Sequence, residues 1–177
     1  MSQVRRISIA ILSLLATVRF PPSARAEGAS PVQISLFPPV QIVSASRPVS
    51  GVRLDLIYGK NTNVTGLDWG LVNHTTGVES AWQSGFVNLD EKDFIGLQSG
   101  IVNLTQGTFT GFQDGGFNQT EDMNGVALGW VNVSKHMHGV QLGLINVTET
   151  LHGLQIGVAN VIHKNKVPFL PIVNWSF

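Results

Sequence analysis

From residue 51 onward, apolar residues come in short alternating bursts separated by polar stretches. Gly139-Val-Gln-Leu-Gly-Leu-Ile-Asn146 shows the unit: Val140, Leu142 and Leu144 alternate with Gly139, Gln141 and Gly143. Period-two alternation predicts a strand with one apolar face. The β-branched residues common at the seventh position agree with it. A helix is excluded, because two glycines in every eight residues would cost roughly 1 kcal/mol each and the apolar positions do not follow a 3.6 period.

The unit recurs in tandem. Gly66-Leu-Asp-Trp-Gly-Leu-Val-Asn73, Ala81-Trp-Gln-Ser-Gly-Phe-Val-Asn88, Gly96-Leu-Gln-Ser-Gly-Ile-Val-Asn103, Gly111-Phe-Gln-Asp-Gly-Gly-Phe-Asn118, Gly125-Val-Ala-Leu-Gly-Trp-Val-Asn132 and Gly153-Leu-Gln-Ile-Gly-Val-Ala-Asn160 are further copies. A weaker copy opens the array at Gly51, and a degenerate one, Val167–Asn174, closes it. Asn73, Asn88, Asn103 and Asn118 are spaced by 15 residues; Asn118, Asn132, Asn146, Asn160 and Asn174 are spaced by 14. Such a period marks a repeat architecture.

Two packings suit these strands. In a β-solenoid each unit makes one coil and coils stack about 4.8 Å apart. All units then face the same way, in about eight or nine coils. Positions 2, 4 and 6, counted from the first Gly of each unit, would ladder inside. The row Asn73, Asn88, Asn103, Asn118, Asn132, Asn146, Asn160 and Asn174 would stack at a corner, amide on amide. The rival is an up-and-down β-barrel in an outer membrane. The alternating end Phe169, Pro171, Val173, Trp175, Phe177 favours the barrel. Ser84, Ser99 and Asp114 at position 4 oppose it, since a barrel turns them toward lipid. Asp114 and the large Trp69, Trp82 and Trp130 are awkward in a narrow solenoid interior as well. The solenoid is the expected fold.

The flanks divide the chain further. Residues 1–26 read as a secretory signal: a start with Arg5 and Arg6, an apolar stretch from Ile7 to Val18 too short to span a bilayer as a helix, and Ala24-Arg25-Ala26 before Glu27. Residues 27–50 hold the proline-bearing segment Pro31–Val43, suited to an edge strand or N-terminal cap, and a linker. Residues 51–177 form the repeat domain with a C-terminal capping strand. Solenoids need such caps because an open end exposes unpaired backbone.

Charge and composition narrow the function. The chain has 11 basic and 11 acidic residues, but the leader holds four of the arginines and no acid, so the remainder carries net charge −4. That argues against nucleic acid, whose phosphates need a basic patch. With 43 % hydrophobic and 12 % charged residues the chain is far from a disordered composition. It has no cysteine, which excludes thiolate chemistry, disulfides and lipid attachment through Cys.

The Gly-Leu-Gln-x-Gly-x-x-Asn array resembles bacterial surface-repeat proteins of the leptospiral type. The opening Pro31-Val-Gln-Ile-Ser-Leu-Phe37, the stretch Leu54–Asn61 and the closing Pro168–Asn174 resemble that family's flanks. The resemblance spans most of 31–177. It implies a place at the bacterial cell surface or outer membrane and no established activity, and it brings no catalytic or binding residues.

Candidate chemistry is sparse. His138 and His152 fall at equivalent places in successive units, near His136, but no Cys or carboxylate at a matching place completes a metal site. Exposed turn histidines are the reading, with no metal and no cofactor. Asn-x-Ser/Thr sequons occur at Asn63 and at six repeat positions, read as a by-product of Asn and Thr serving backbone groups at strand ends. The acidic groups Asp90-Glu91 with Asp93, and Glu121-Asp122, read as solvated turns. No acid, base and nucleophile assemble, so no catalysis is expected. The expected role is structural or adhesive. Its contact surface would be the Gln row, Gln83, Gln98, Gln113, Gln141 and Gln155, left open by flanking glycines to an envelope glycan or a host surface. Membrane insertion, as anchor or small pore, belongs only to the barrel alternative.

Overall fold

A computed structural model describes residues 28–177 of the chain. The expected signal, 1–26, lies outside the described residues. Strands make up 81 % of the rest, with no helix among the described residues, and they stack as the coils of a β-solenoid, not a barrel.

The cap strands are β1 (Ser30–Phe37) and β2 (Val40–Gln41). The coils are β3 (Val49–Asn61), β4 (Val64–Thr75), β5 (Glu79–Ser84), β6 (Val87–Asp90) and β7 (Phe94–Ile162), the last an uninterrupted extended ribbon winding through successive coils. β8 (Phe169–Ser176) closes the stack. Neighbouring coils run parallel in register: Asn73 lies beside Asn88, and Asn88 beside Asn103. A barrel made by up-and-down strands would alternate their direction, so the parallel register removes that alternative.

Only the ends depart from one direction. β2 pairs antiparallel with β1, and β8 antiparallel with the last coil. Asn174 therefore leaves the Asn row: it stands opposite Gln155, not Asn160. The reversal covers the outgoing edge of the stack with a strand that cannot template another coil.

The expected sidedness is inverted. Positions 3, 5 and 8 face inward, and the apolar positions 2, 4 and 6 face out. Gln98, Asn103, Thr105 and Phe109 are buried in one coil, while Leu97 and Ile101 are exposed. Glycine explains the inversion. A Cβ on Gly100 would fall 2.7 Å from Asn103 Oδ1 and 2.7 Å from Asn88 Nδ2, so position 5 is the floor on which the Asn side chains lie. At position 1, Gly111 has φ +141°, and a Cβ there would fall 2.0 Å from the carbonyl oxygen of Gly96 one coil back. Backbone meets backbone at that corner, and at positive φ only glycine is comfortable; Ala81, the one other residue in this row, is accommodated without a positive φ. Trp69 and Trp130, too large for this interior, stand outside at 67 % and 71 % exposure.

The interior thus has three polar rows and one apolar row. The apolar row is Phe94, Phe109, Met123, Met137 and Leu151, with Phe94 and Phe109 stacked at 4.9 Å between ring centroids. Burying amides in the other rows is tolerable only if each finds partners.

Candidate functional site

The Asn row is such a partnership. From Asn73 to Asn160, each Nδ2 donates to Oδ1 of the next Asn, six bonds of 2.7–2.9 Å. The second proton of each goes to a main-chain carbonyl of the next coil, as from Asn88 to Ser99 at 2.9 Å. The Gln row runs the other way. Gln113 donates back to Gln98 at 2.7 Å, Gln98 to Gln83 at 2.6 Å, and Gln155 to Gln141 at 2.7 Å. Ala127 interrupts this row, and there Gln141 turns to Ser134 Oγ at 3.2 Å.

Gln83, Gln98, Gln113, Gln141 and Gln155 are therefore not an open contact surface. All are buried with at most 1 % exposure. The flanking glycines admit the neighbouring coil, not an outside ligand. The sequon asparagines of the repeat are equally enclosed, whereas Asn63 is exposed.

At the N-terminal end the amide rows run into buried charge. Arg53, Asp68 and Gln83 occupy one row in register. Arg53 grips Asp68 with two bonds, Nε to Oδ1 at 2.7 Å and Nη2 to Oδ2 at 2.5 Å. Asp55 lies 3.2 Å and Glu79 3.6 Å from the same guanidinium. Glu79 also accepts from Thr75 and Gln83, and Asp90 accepts from Gln98 at 2.6 Å. All five charged residues are buried, Asp90 included, which corrects its reading as a solvated turn residue. One cation cannot neutralise four carboxylates, and unpaired buried charge is expensive.

The acids respond by holding protons. Burial pushes Asp55 up to about 7, with Arg53 pulling against it. Burial and the neighbouring Asp68 push Asp90 up to about 7, against Arg53 and the bonds from Glu79 and Gln98. Glu79 is raised well above the carboxylate range by burial, then by Asp68 and Asp90. For Arg53, burial works to lower the pKa, but the carboxylates of Asp68, Glu79 and Asp55 outweigh it and it rises. Sequence reasoning missed this cluster; its signal was the pair Arg53 and Asp68 standing where other units carry Gln.

Asp55 has a second role. A Cβ on Gly59 would fall 1.8 Å from its Cγ, so the Asp55 carboxyl fills the place an Asn would take in that coil. Asn73 Oδ1 has no donor there, nor has either Asp55 oxygen a hydrogen-bond partner. A protonated Asp55 suits the acceptor end of the Asn row.

Two surface groups complete the inventory. Tyr58 Oη lies 2.6 Å from His74 Nδ1, and His74 Nε2 lies 2.8 Å from Glu91. Burial, then Glu91, raises the Tyr58 phenol, which disfavours a phenolate nucleophile. His138 and His152 are neighbours on adjacent coils, 5.7 Å between ring centroids. No group of three or more metal-ligating side chains occurs among the described residues.

The largest unassigned feature is the outside of positions 2–7. Leu67, Trp69, Leu71, Trp82, Phe86 and Trp130 are exposed on it. The caps extend it: Val32 and Ile34 lie beside Val52 and Leu54, and Trp175 and Val173 beside Leu154 and Ile156. Between Val52 and Ala159, Asp114 is the one charged residue at positions 2, 4, 6 and 7. The other side of the coil holds the ion pairs His74–Glu91, Glu121–Lys135 and Glu149–Lys164. Comparisons with family models, curated proteins and solved structures give no match.

Proposed function

We propose that this chain is an exported bacterial envelope protein with a structural or adhesive role, and that it makes its contacts through the apolar flank. The segregation of exposed charge away from this flank, broken only by Asp114, carries this reading. A hydrogen-bonded polar interior with a single apolar row holds the rod, and the apolar side chains of positions 2, 4 and 6 are released to the outside. Exposed apolar patches beyond a few hundred Å² mark interaction surfaces. The leader-like N-terminus and the surface-repeat resemblance support the envelope assignment. The interior rows are filled by side chains, which leaves no basis for a pore; the anchoring role passes to the flank.

Fractionation of cells that express the protein natively tests the reading. The chain is expected with the envelope, retained through high-salt wash and without the heat-modifiable gel mobility of a barrel. Recovery in the cytosol overturns it.

A further inference from the structure

We propose that the occupant of the flank is lipid hydrocarbon: the solenoid lies along a lipid surface with acyl chains against its glycine row. The inference rests on the flank being the contact face and names its partner.

Four observations select hydrocarbon. First, the flank offers little to a hydrogen-bonding partner. Its strands spend their backbone groups on neighbouring coils, and its polar outward side chains at positions 2, 4 and 6 are Ser84, Ser99 and Asp114. A peptide strand or a glycan would find almost no donors or acceptors. Second, the glycines of position 5 floor two apolar grooves between the ridges of positions 4 and 6. One, of about 550 Å³, is walled by Leu54, Leu56, Trp69, Leu71 and Phe86 over Gly70 and Gly85. The other, of about 600 Å³, has Ile101, Leu128, Trp130, Leu142 and Leu144 over Gly115, Gly129 and Gly143, with Asp114 as the one charged residue in its wall.

Third, the relief is uneven. Gly116 at position 6 is followed one coil on by Trp130. Fluid chains fill such steps, whereas a rigid second copy needs a matching surface. Fourth, apart from Asp114 the exposed charge of the coils lies on the opposite side, the arrangement of an element lying in a membrane interface. Tryptophan suits that depth, with an apolar ring and one N–H donor. With strands about 4.8 Å apart and about 3.3 Å per residue, the flank is roughly 45 Å long and 15 Å wide.

All four tryptophans of the chain, Trp69, Trp82, Trp130 and Trp175, stand exposed on this flank or its cap, so intrinsic fluorescence reports the flank alone. The test mixes the full chain with phosphatidylcholine vesicles whose acyl chains are brominated. Emission is expected to shift to the blue and be quenched, equally at low and high salt. The triple variant Leu71→Asp/Leu128→Asp/Leu144→Asp changes only exposed or half-exposed flank positions. It is expected to bind vesicles at least tenfold more weakly; the apolar stretch at Ile7–Val18 is common to both chains, so the comparison isolates the flank. Absence of quenching in the unaltered chain overturns the proposal whether or not the variant folds. Equal binding by a folded variant also overturns it. Emission that ignores vesicles, with a dimer in sedimentation that the variant loses, assigns the flank to a second copy instead. None of these outcomes touches the envelope reading, which the fractionation decides separately.

Discussion

Gln98 reaches back one coil and donates its Nε2 proton to Oε1 of Gln83 at 2.6 Å. Across the same coils, Asn88 donates forward to Asn103. The two amide rows have opposite polarity, so their N-terminal ends make opposite demands. The Gln row ends on a donor, and Gln83 Nε2 meets Asp68 Oδ2 at 3.0 Å and Glu79 Oε2 at 3.1 Å. The Asn row ends on the acceptor Asn73 Oδ1, which calls for a protonated group.

Stability should therefore fall as pH rises. Asp55 and Asp90 titrate near 7 when folded and near 3.8 when unfolded. The folded chain binds more protons between those values, so their contribution is complete below about pH 4 and is lost through pH 7. Each such proton contributes a slope of about 1.4 kcal/mol per pH unit in that window. Glu149, held low by its bond with Lys164, acts in the opposite sense but at lower pH and at a half-exposed site. Denaturant unfolding followed by circular dichroism should give a lower midpoint at pH 8 than at pH 5. Asp55→Asn should flatten the dependence; a midpoint that rises with pH refutes the proton assignment.

Arg53 is the sole cation of the buried cluster. Arg53→Met should destabilise by about 3–5 kcal/mol, the usual consequence of stranding a buried partner charge. Adding Asp68→Leu should recover part of the loss, because the stranded carboxylate goes with it. A double variant no better than the single one would show that the pair is not coupled. Equilibrium unfolding of the three chains measures it.

The glycine floor should be intolerant at both kinds of position. Gly100→Ala drives a methyl into the Asn88–Asn103 bond, and Gly111→Ala collides with a carbonyl oxygen at positive φ. Each should cost more than about 3 kcal/mol, as overpacking and strained backbone do together. Gly116→Ala, which has no positive φ and whose Cβ would meet only Ile101, at 3.0 Å from its carbonyl oxygen, is the milder comparison. Thermal melts separate the three.

Filling the gap in the Gln row should stabilise the rod. Gln113, Thr120, Ser134 and Gln141 surround Ala127. Ala127→Gln is expected to restore the row from Gln141 to Gln113 and add about 1 kcal/mol, or a few degrees in Tm. A lower Tm would mean that the neighbouring Met123 cannot yield.

Much of the fold was legible in the chain. The spacing of Asn88, Asn103 and Asn118 gives the coil length, and identical units without a two-strand period favour the parallel stacking that the register shows. The reversed direction of Pro168–Asn174 was not legible, because it depends on how β8 meets the edge left by Gly153–Gly157. The buried acids were hidden because Asp90 sits in a string of turn-like charges, and only the register with Thr75 and Thr105 carries it inside.

What the sequence determined by itself was a period: strands of alternating character, fourteen or fifteen residues apart. Alternation has no sign, and the tertiary structure decided which face turned inward. Coils under 5 Å apart leave no room for side chains at Gly100 or Gly111, so the glycine face had to be the inner one. Its amides could pay for burial only by bonding to their own copies in adjacent coils. Leu71, Trp82 and Trp130 were thereby left outside, on the surface where a partner must be sought.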